Sequence, residues 1–530
     1  KGVGGYLLLC DARDEAAVAR LRARKHRPVK PFALLARDLG AARRIAEVSA
    51  AEAELLDSTP APIVLLVRRA DSGLAPSIAP GNPTVGVMLP SSPLHHLIAA
   101  AVDFPLVATS GNRADEPIAT DDGEALSRLG GYADLFLAHD RPIARHVDDS
   151  VVHVVDGAPR MLRRARGYAP LPVLLEREVP CVLAVGAHQK CAVALSVGRQ
   201  VFLSQHLGDM ETPEARAAFE RVILDFLDLY EARPVAIAHD LHPDYPTTRW
   251  AERARPGGAE LPRIAVQHHH AHLAAALAER GRAGAALALA WDGTGYGPDG
   301  TIWGGEILAG DAAAFTRVGH LSCVPLPGGD AAIRHPWRTA LSHLRAAYGE
   351  ELPALPFLAD KDTQLVLQMI DRGLNAPSTS SCGRLFDAVA ALTGGWDEAR
   401  YEAQAAIELT ALTTAAAVEA ARPFAWDVVE TSGALLLPCA PIVRGVVADV
   451  QAGADAAAVS ARFHRTLLDL LVEASRRAAR LTGLRTVALG GGSFQNEILA
   501  GLLPPRLEAA GLRPLLPREL PPNDGAVALG

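Results

Sequence analysis

The chain has 530 residues, more than one hydrophobic core usually supports, and its 49% hydrophobic content is enough to fill two or more domains. A net charge of -8 gives no overall basic field, which argues against a nucleic acid as the main partner and for small molecules or proteins. The six cysteines (Cys10, Cys181, Cys191, Cys323, Cys382, Cys439) form no C-x-x-C pair, suggest neither a zinc finger nor a disulfide framework, and fit a reducing cytoplasm; no run approaches a membrane span.

Residues 1–6 have neither an initiating Met nor signal-peptide character, as expected of a piece cut from a longer chain. Strand-like runs at 6–10, 63–67, 106–109 and 151–155 then alternate with helical ones at 15–25, 51–56, 93–102 and 122–129, an α/β pattern. Residues 24–31, Arg-Lys-His-Arg-Pro-Val-Lys-Pro, pack the charges of Arg24, Lys25, Arg27 and Lys30 into a loop closed by prolines, and Pro31 keeps Lys30 out of helix geometry. Cations converging on one point suit a triphosphate, while cations at a helix C-terminus are equally ordinary solvated charges. Residues 107–112, Val-Ala-Thr-Ser-Gly-Asn, run from a strand into a turn where Thr109, Ser110 and Asn112 can bind an adenosine or acyl moiety. Residues 163–168 add another cationic edge.

A Pro-punctuated stretch at 168–180 marks a domain boundary, giving domains 1–176 and 177–530. Residues 182–208 and 287–310 both read strand, Gly turn, strand, Gly turn, strand; their offset of about 105 residues is too long for a solenoid repeat and indicates a duplicated lobe. Two such lobes, about 177–285 and 286–530, describe the actin and sugar-kinase type of ATP-binding fold. At 266–272 the sequence Val-Gln-His-His-His-Ala-His opens a helix running to 280, so that His268 and His272 share a face and can grip one metal ion. A His-rich helix start whose imidazoles cap backbone groups accounts for the same pair. A metal-peptidase pattern would need Glu at the place of His269 and is disfavoured.

Residues 289–295, Leu-Ala-Trp-Asp-Gly-Thr-Gly, form a strand ending in an acidic turn, where backbone N–H groups can cradle phosphate and Asp292 can hold magnesium. Residues 487–496, Val-Ala-Leu-Gly-Gly-Gly-Ser-Phe-Gln-Asn, read as a buried strand, three glycines and a helix start attractive to a nucleotide. Asp524, in Pro-Pro-Asn-Asp-Gly, either completes a two-His, one-carboxylate metal site or caps a helix. Ala-rich segments at 413–421 and 452–461 read as plain helix.

Over nearly its whole length the chain resembles a known family. Residues 25–31 (Lys-His-Arg-Pro-x-Lys-Pro), 85–90 (Val-Gly-Val-Met-Leu-Pro) and 109–112 are similar to a YrdC-like domain in order and type. His268 and His272, the loop 491–496 and Asp524 are similar to the TsaD-like branch of the actin-type ATPases. That pair of domains, with 88–96, 148–151, 240–245 and 383–388 (Gly-Arg-Leu-Phe-Asp-Ala), resembles the HypF carbamoyltransferase family of [NiFe]-hydrogenase maturation.

The resemblance implies an α/β YrdC-like domain followed by a two-lobed actin-like (ASKHA) domain in a cytoplasmic enzyme with no nucleic-acid or membrane partner. The first domain would convert ATP and carbamate, itself derived from carbamoyl phosphate, into carbamoyl-adenylate; the second would pass the carbamoyl group to the C-terminal cysteine of HypE. It further implies catalytic roles for Lys25, Arg27, Lys30 and Asp292. Nucleotide contacts would come from Lys25, Arg27, Lys30, Thr109, Ser110, Asn112, Gly383, Asp387, Gly491, Gly492, Ser493 and Asn496. Mg2+ would accompany ATP, and Zn2+ or Fe2+ would sit on His268, His272 and Asp524. Because the adenylate hydrolyses readily, a closed passage between the domains is expected.

The chain departs from the family in lacking an acylphosphatase-like module and Cys-rich zinc motifs, so it is expected to make carbamate poorly by itself. In 186–191 it lacks the usual acidic and Asn-containing turn, which leaves the role of Lys190 open, and the helix after Asp524 is expected to be cut short or disordered. His188 and His270 are both candidate general bases for the acceptor thiol. Alternatives are a threonylcarbamoyl transferase acting on tRNA, a small-molecule O-carbamoyltransferase, which uses the two domains in the opposite order, and a non-catalytic ATP-binding scaffold.

Overall fold

Among the described residues, apolar runs bounded by turn residues form the strands of three large sheets, and two short strands make a fourth. The computed structural model describes residues 1–258, 260–394 and 396–530, and they cluster into two compact units. The first unit comprises Lys1–Val266 and Arg518–Leu529, the second Gln267–Pro517 and Gly530.

In the first unit, seven strands form one mixed sheet: β1 (Leu7–Asp11), β2 (Ala33–Leu35), β3 (Ile63–Val67), β4 (Thr84–Met88), β5 (Leu106–Ser110), β6 (Val151–Val155) and β7 (Ala158–Arg163). Their order is β1-β5-β2-β4-β3-β6-β7. Val64, Leu66, Val85, Val87 and Val107 are solvent-free, so near-continuous apolar runs in these strands are what a two-sided core requires. The helices Glu15–Lys25 and Asp122–Leu129 match the expected bounds; β2, β4, β7 and the helix Leu39–Ile45 were not among the expected elements, and β2 is too short to show a period. Asp14 caps the first helix through Ala16 and Ala17 N–H, and His26, at φ 50°, ends it, leaving Lys25 as its last residue.

The second sheet contains β8 (Pro172–Leu174), β9 (Val182–Ala184), β10 (Ala194–Val197), β11 (Gln200–Leu203), β12 (Ala236–Asp240) and β13 (Arg263–Val266), in the order β13-β12-β9-β10-β11-β8. The Pro-rich stretch read as a boundary therefore supplies an edge strand, the position where proline is tolerated.

In the second unit β14 (Ala286–Trp291), β15 (Gly305–Gly310) and β16 (Phe315–Leu321) form an antiparallel meander; β17 (Val324–Pro325) and β18 (Ser378–Thr379) pair by themselves. With β19 (Val429–Thr431), β20 (Ala434–Leu437), β21 (Thr486–Gly490) and β22 (Arg513–Leu515), the meander makes a sheet ordered β19-β20-β16-β15-β14-β21-β22.

The duplication is visible in the topology. Each sheet has an antiparallel meander, a fourth strand parallel to the first and a fifth parallel to the fourth: β9, β10, β11, β12, β13 in one and β14, β15, β16, β21, β22 in the other. The second meander extends past the range 287–310, because Asp292 to Gly304 form a long connection whose backbone is bonded to the segment 378–383.

Candidate functional site

In the first unit the buried Lys25 sits where the helix Glu15–Lys25 ends beside the end of β5. Its Nζ donates to Ser110 O (2.7 Å), Asn112 O (3.0 Å) and Asn112 Oδ1 (2.7 Å), and the Ser110 hydroxyl donates to the same amide oxygen (2.7 Å). The two motifs the sequence singled out thus meet. Burial first, then the Arg27 charge, push the Lys25 pKa down to about 7. Asp148 opposes that shift. Arg27 donates to the carbonyls of Lys30 (3.2 Å) and Pro31 (2.5 Å), bracing the loop, and burial lowers its pKa to about 10.

Not every cation of the loop converges. Arg24 turns away to Asp134 (3.0 Å) and Lys30 is exposed. Arg22, which the sequence reading passed over, is 6% exposed and donates to the carbonyls of Ser77, Arg27, Lys30 and Ile78, stacked over Phe32. As one of several charged residues in the helix Glu15–Lys25 it gave no signal of its own.

In the second unit the helix His268–Glu279 begins with Gln267 as N-cap, whose Oε1 accepts from His270 N–H (2.9 Å). His268 and His272 project from one face toward Asp292 at the end of β14. Asp292 Oδ2 lies 3.5 Å from His268 Nε2 and 2.9 Å from His272 Nε2, and all three residues are buried. Burial alone would raise the Asp292 pKa, but bonds from the two imidazoles hold it well below the ordinary carboxylate value. Two imidazoles and one carboxylate whose ligand atoms lie within 4.8 Å of one another form a donor set that fits a zinc or ferrous ion. Asp292 thereby joins the histidines, a role the sequence alone left unassigned. Asp524 lies in the first unit, at the start of the 3-10 turn Asp524–Leu529; that turn corrects the expectation of a disordered end.

The glycine loop follows β21. Gly491 has φ 98°, and an added Cβ there would collide with the Trp291 carbonyl. Gly492 N–H donates to Asp292 Oδ1 (3.1 Å), so the loop and the carboxylate between the histidines are tied together. Gly492–Gln495 form a 3-10 turn containing Ser493, and Asn496 caps the helix Glu497–Ala509 through Ile498 N–H (2.9 Å) and Leu499 N–H (3.2 Å). Gly383 N–H donates to Asp292 O (3.1 Å), and a Cβ on Gly383 would meet Gly293 Cα at 2.8 Å. Asp387, one turn on, is buried and paired with Arg384 (2.7 Å); burial raises its pKa.

Thr109 is buried in β5 itself. His270 Nε2 lies 2.7 Å from Asp311 O, and the His188 ring stacks on Tyr245 with Nε2 3.9 Å from Glu211. Ser381 was missed: its hydroxyl bonds the Asp292 (3.1 Å) and Gly293 (2.8 Å) carbonyls and fixes the acidic turn. His206 was missed as well. In the first unit, burial and then the charges of Arg163, Lys190 and Lys30 hold its pKa well below the ordinary imidazole value.

Family models match residues 1–165 (Telomere recombination), 177–279 (HypF Kae1-like domain) and 288–530 (Carbamoyltransferase, Kae1-like Domain, second subdomain). The chain is 42% identical over 550 residues to a carbamoyltransferase HypF of Synechocystis sp. and 43% identical over 537 residues to one of Rhizobium leguminosarum bv. viciae. Each match covers 100% of this chain, and 70% and 69% of those relatives. A solved full-length HypF in its phosphate- and nucleotide-bound form superposes with a TM-score of 0.94 at 39% identity, covering 100% of this chain and 82% of that one.

Proposed function

The chain belongs to the HypF carbamoyltransferase family, and from that premise we propose that it forms carbamoyl-adenylate from ATP and carbamate and transfers the carbamoyl group to the C-terminal cysteine of HypE. The observation that carries the reading is Lys25, whose Nζ is buried against Ser110 and Asn112 at the end of β5, an amine whose charged form phosphate oxygens would favour. In the first step a carbamate oxygen attacks the α-phosphorus of ATP, the bond to the pyrophosphate breaks, and pyrophosphate leaves with the electron pair. Carbamate is a poor electrophile, and its adenylate carries AMP as a good leaving group. Lys25 and the loop from Arg27 to Lys30 offset charge on the phosphates, and Mg2+ accompanies the ATP. Thr109, Ser110 and Asn112 orient the acyl and adenosine ends.

In the second step the acceptor thiolate attacks the carbamoyl carbon, the C–O bond to AMP breaks, and the thiol proton passes to solvent or a nearby base. His268, His272 and Asp292 would hold a transition metal, with Asp524 as a further ligand on the strength of its motif. Such an ion polarises the oxygen of an acyl or phosphate group. Gly491, Gly492, Ser493, the backbone of Asn496 and the Gly383–Asp387 turn are the proposed nucleotide contacts of this step. Free cysteines, and the absence among the described residues of any helix long and apolar enough to cross a membrane, fit a cytoplasmic protein.

ATP–pyrophosphate exchange tests the reading, with Mg2+ and carbamate supplied by a separate acylphosphatase and a parallel reaction containing threonine and bicarbonate. Carbamate-dependent exchange is expected. Exchange that requires threonine would move the protein to tRNA modification, and none under either condition would leave a nucleotide-binding scaffold.

A further inference from the structure

The helix Ala456–Thr482 carries a solvent-free histidine, His464, that none of the chemistry above uses. Its Nδ1 lies 2.8 Å from Ser460 O and its Nε2 3.0 Å from Asn496 Nδ2. A carbonyl only accepts and an amide NH2 only donates, so the imidazole is neutral, with its proton on Nδ1 and its lone pair on Nε2. The other tautomer would set an N–H against the Asn496 amide and a lone pair against the Ser460 carbonyl, and would keep only the longer 3.3 Å contacts to the Thr410 and Ser460 hydroxyls. Phe386 and Phe463 pack edge-on against the ring and hold its plane.

The bonds around Asn496 close without a spare. One amide hydrogen goes to His464 Nε2 and the other to Thr410 Oγ1 (2.9 Å), whose own hydrogen goes to Ala406 O (2.8 Å). The amide oxygen accepts the two N–H groups that begin the helix Glu497–Ala509. A flipped amide would set donors against donors at the helix end and oxygen against a lone pair at His464. The residue that terminates the glycine loop is therefore fixed in one orientation by helices remote in sequence, while Gly492 at the other end is fixed by Asp292.

We propose that Thr410 and His464 form a clamp that sets the glycine loop through Asn496, making His464 a positioning residue for the nucleotide the loop receives; this rests on the nucleotide reading of that loop. Burial pushes the His464 pKa down to about 4, so the clamp keeps its acceptor at any pH near neutrality. The clamp touches no part of the ligand; it sets the path of the backbone that does.

Calorimetric titration of the full chain with Mg2+-ADP, in a Lys25→Met background that silences the first site, reads the loop alone. Thr410→Val and His464→Leu keep volume and remove one acceptor each, and are expected to weaken ADP about tenfold; His464→Gln, which offers an acceptor in the same place, should stay within about threefold of the background. Should His464→Leu fail to fold, Thr410→Val, a hydroxyl-for-methyl change, carries the same test. The clamp is refuted if both apolar variants bind ADP as the background does, or if His464→Gln loses as much as His464→Leu. If the Lys25→Met background binds no ADP at all, the nucleotide reading of the loop falls and takes the clamp with it.

Discussion

Lys25 combines burial with three acceptors, and the two act in opposite directions on its charge. Three hydrogen bonds suit an ammonium, whereas burial and Arg27 bring its pKa from the ordinary 10.5 to about 7. Between those two values the unfolded chain holds more protons than the folded one, so this group lets stability rise with pH across the window; its full penalty stands below about pH 7. Phosphate oxygens restore the charged form. ATP binding at about pH 8 should therefore take up a proton and weaken as pH rises further, an uptake that Lys25→Met abolishes along with about a hundredfold of the exchange rate. Titrations in buffers of different ionisation enthalpy measure it, and heats independent of the buffer would rule it out.

At the scale of elements, strands deliver functional groups at their ends and turns hold them. β14 ends at Trp291, Ser381 grips the carbonyls of Asp292 and Gly293, and Gly492 reaches back to the same carboxylate. Gly491 is where this arrangement tolerates no side chain, because its φ of 98° and the adjacent Trp291 carbonyl both exclude one. Gly491→Ala should cost about 1–3 kcal/mol in urea unfolding and impair transfer more than pyrophosphate exchange. A variant as stable as the parent would show that the loop relaxes freely. Strand–Gly–helix punctuation made this loop legible in the sequence, and the HxxxH spacing did the same for the histidine pair. Arg22 and His464 were not legible: each lies in a helix whose period explains it equally well as surface or core, and only its distant partners reveal its use.

For the whole molecule, the proposed reaction divides into a step without a transition metal and a step with one. His268→Ala, or 1,10-phenanthroline with Mg2+ kept in excess, should abolish carbamoyl transfer by at least about a hundredfold and leave carbamate-dependent exchange within about twofold. Equal loss of both activities would mean that the two steps share a site. The boundary read at the Pro-rich stretch follows the sequence's punctuation, whereas the two units seen in space divide at Val266, and the segment Arg518–Leu529 belongs to the first unit. Composition cannot indicate such a return, because it depends on which surfaces a late segment covers.

The sequence by itself determined the strand and helix alternation, the duplicated lobe, the family, and the residue types at the loops ending β5 and β21. Those depend on local period, turn chemistry and spacing, which act over a few residues. Tertiary structure alone decided that Lys25 meets Asn112, that Asp292 stands between His268 and His272, and that Asn496 is bound to Thr410 and His464. Each of these contacts joins groups far apart along the chain, and each is set by the order in which strands and helices pack, which no local signal encodes.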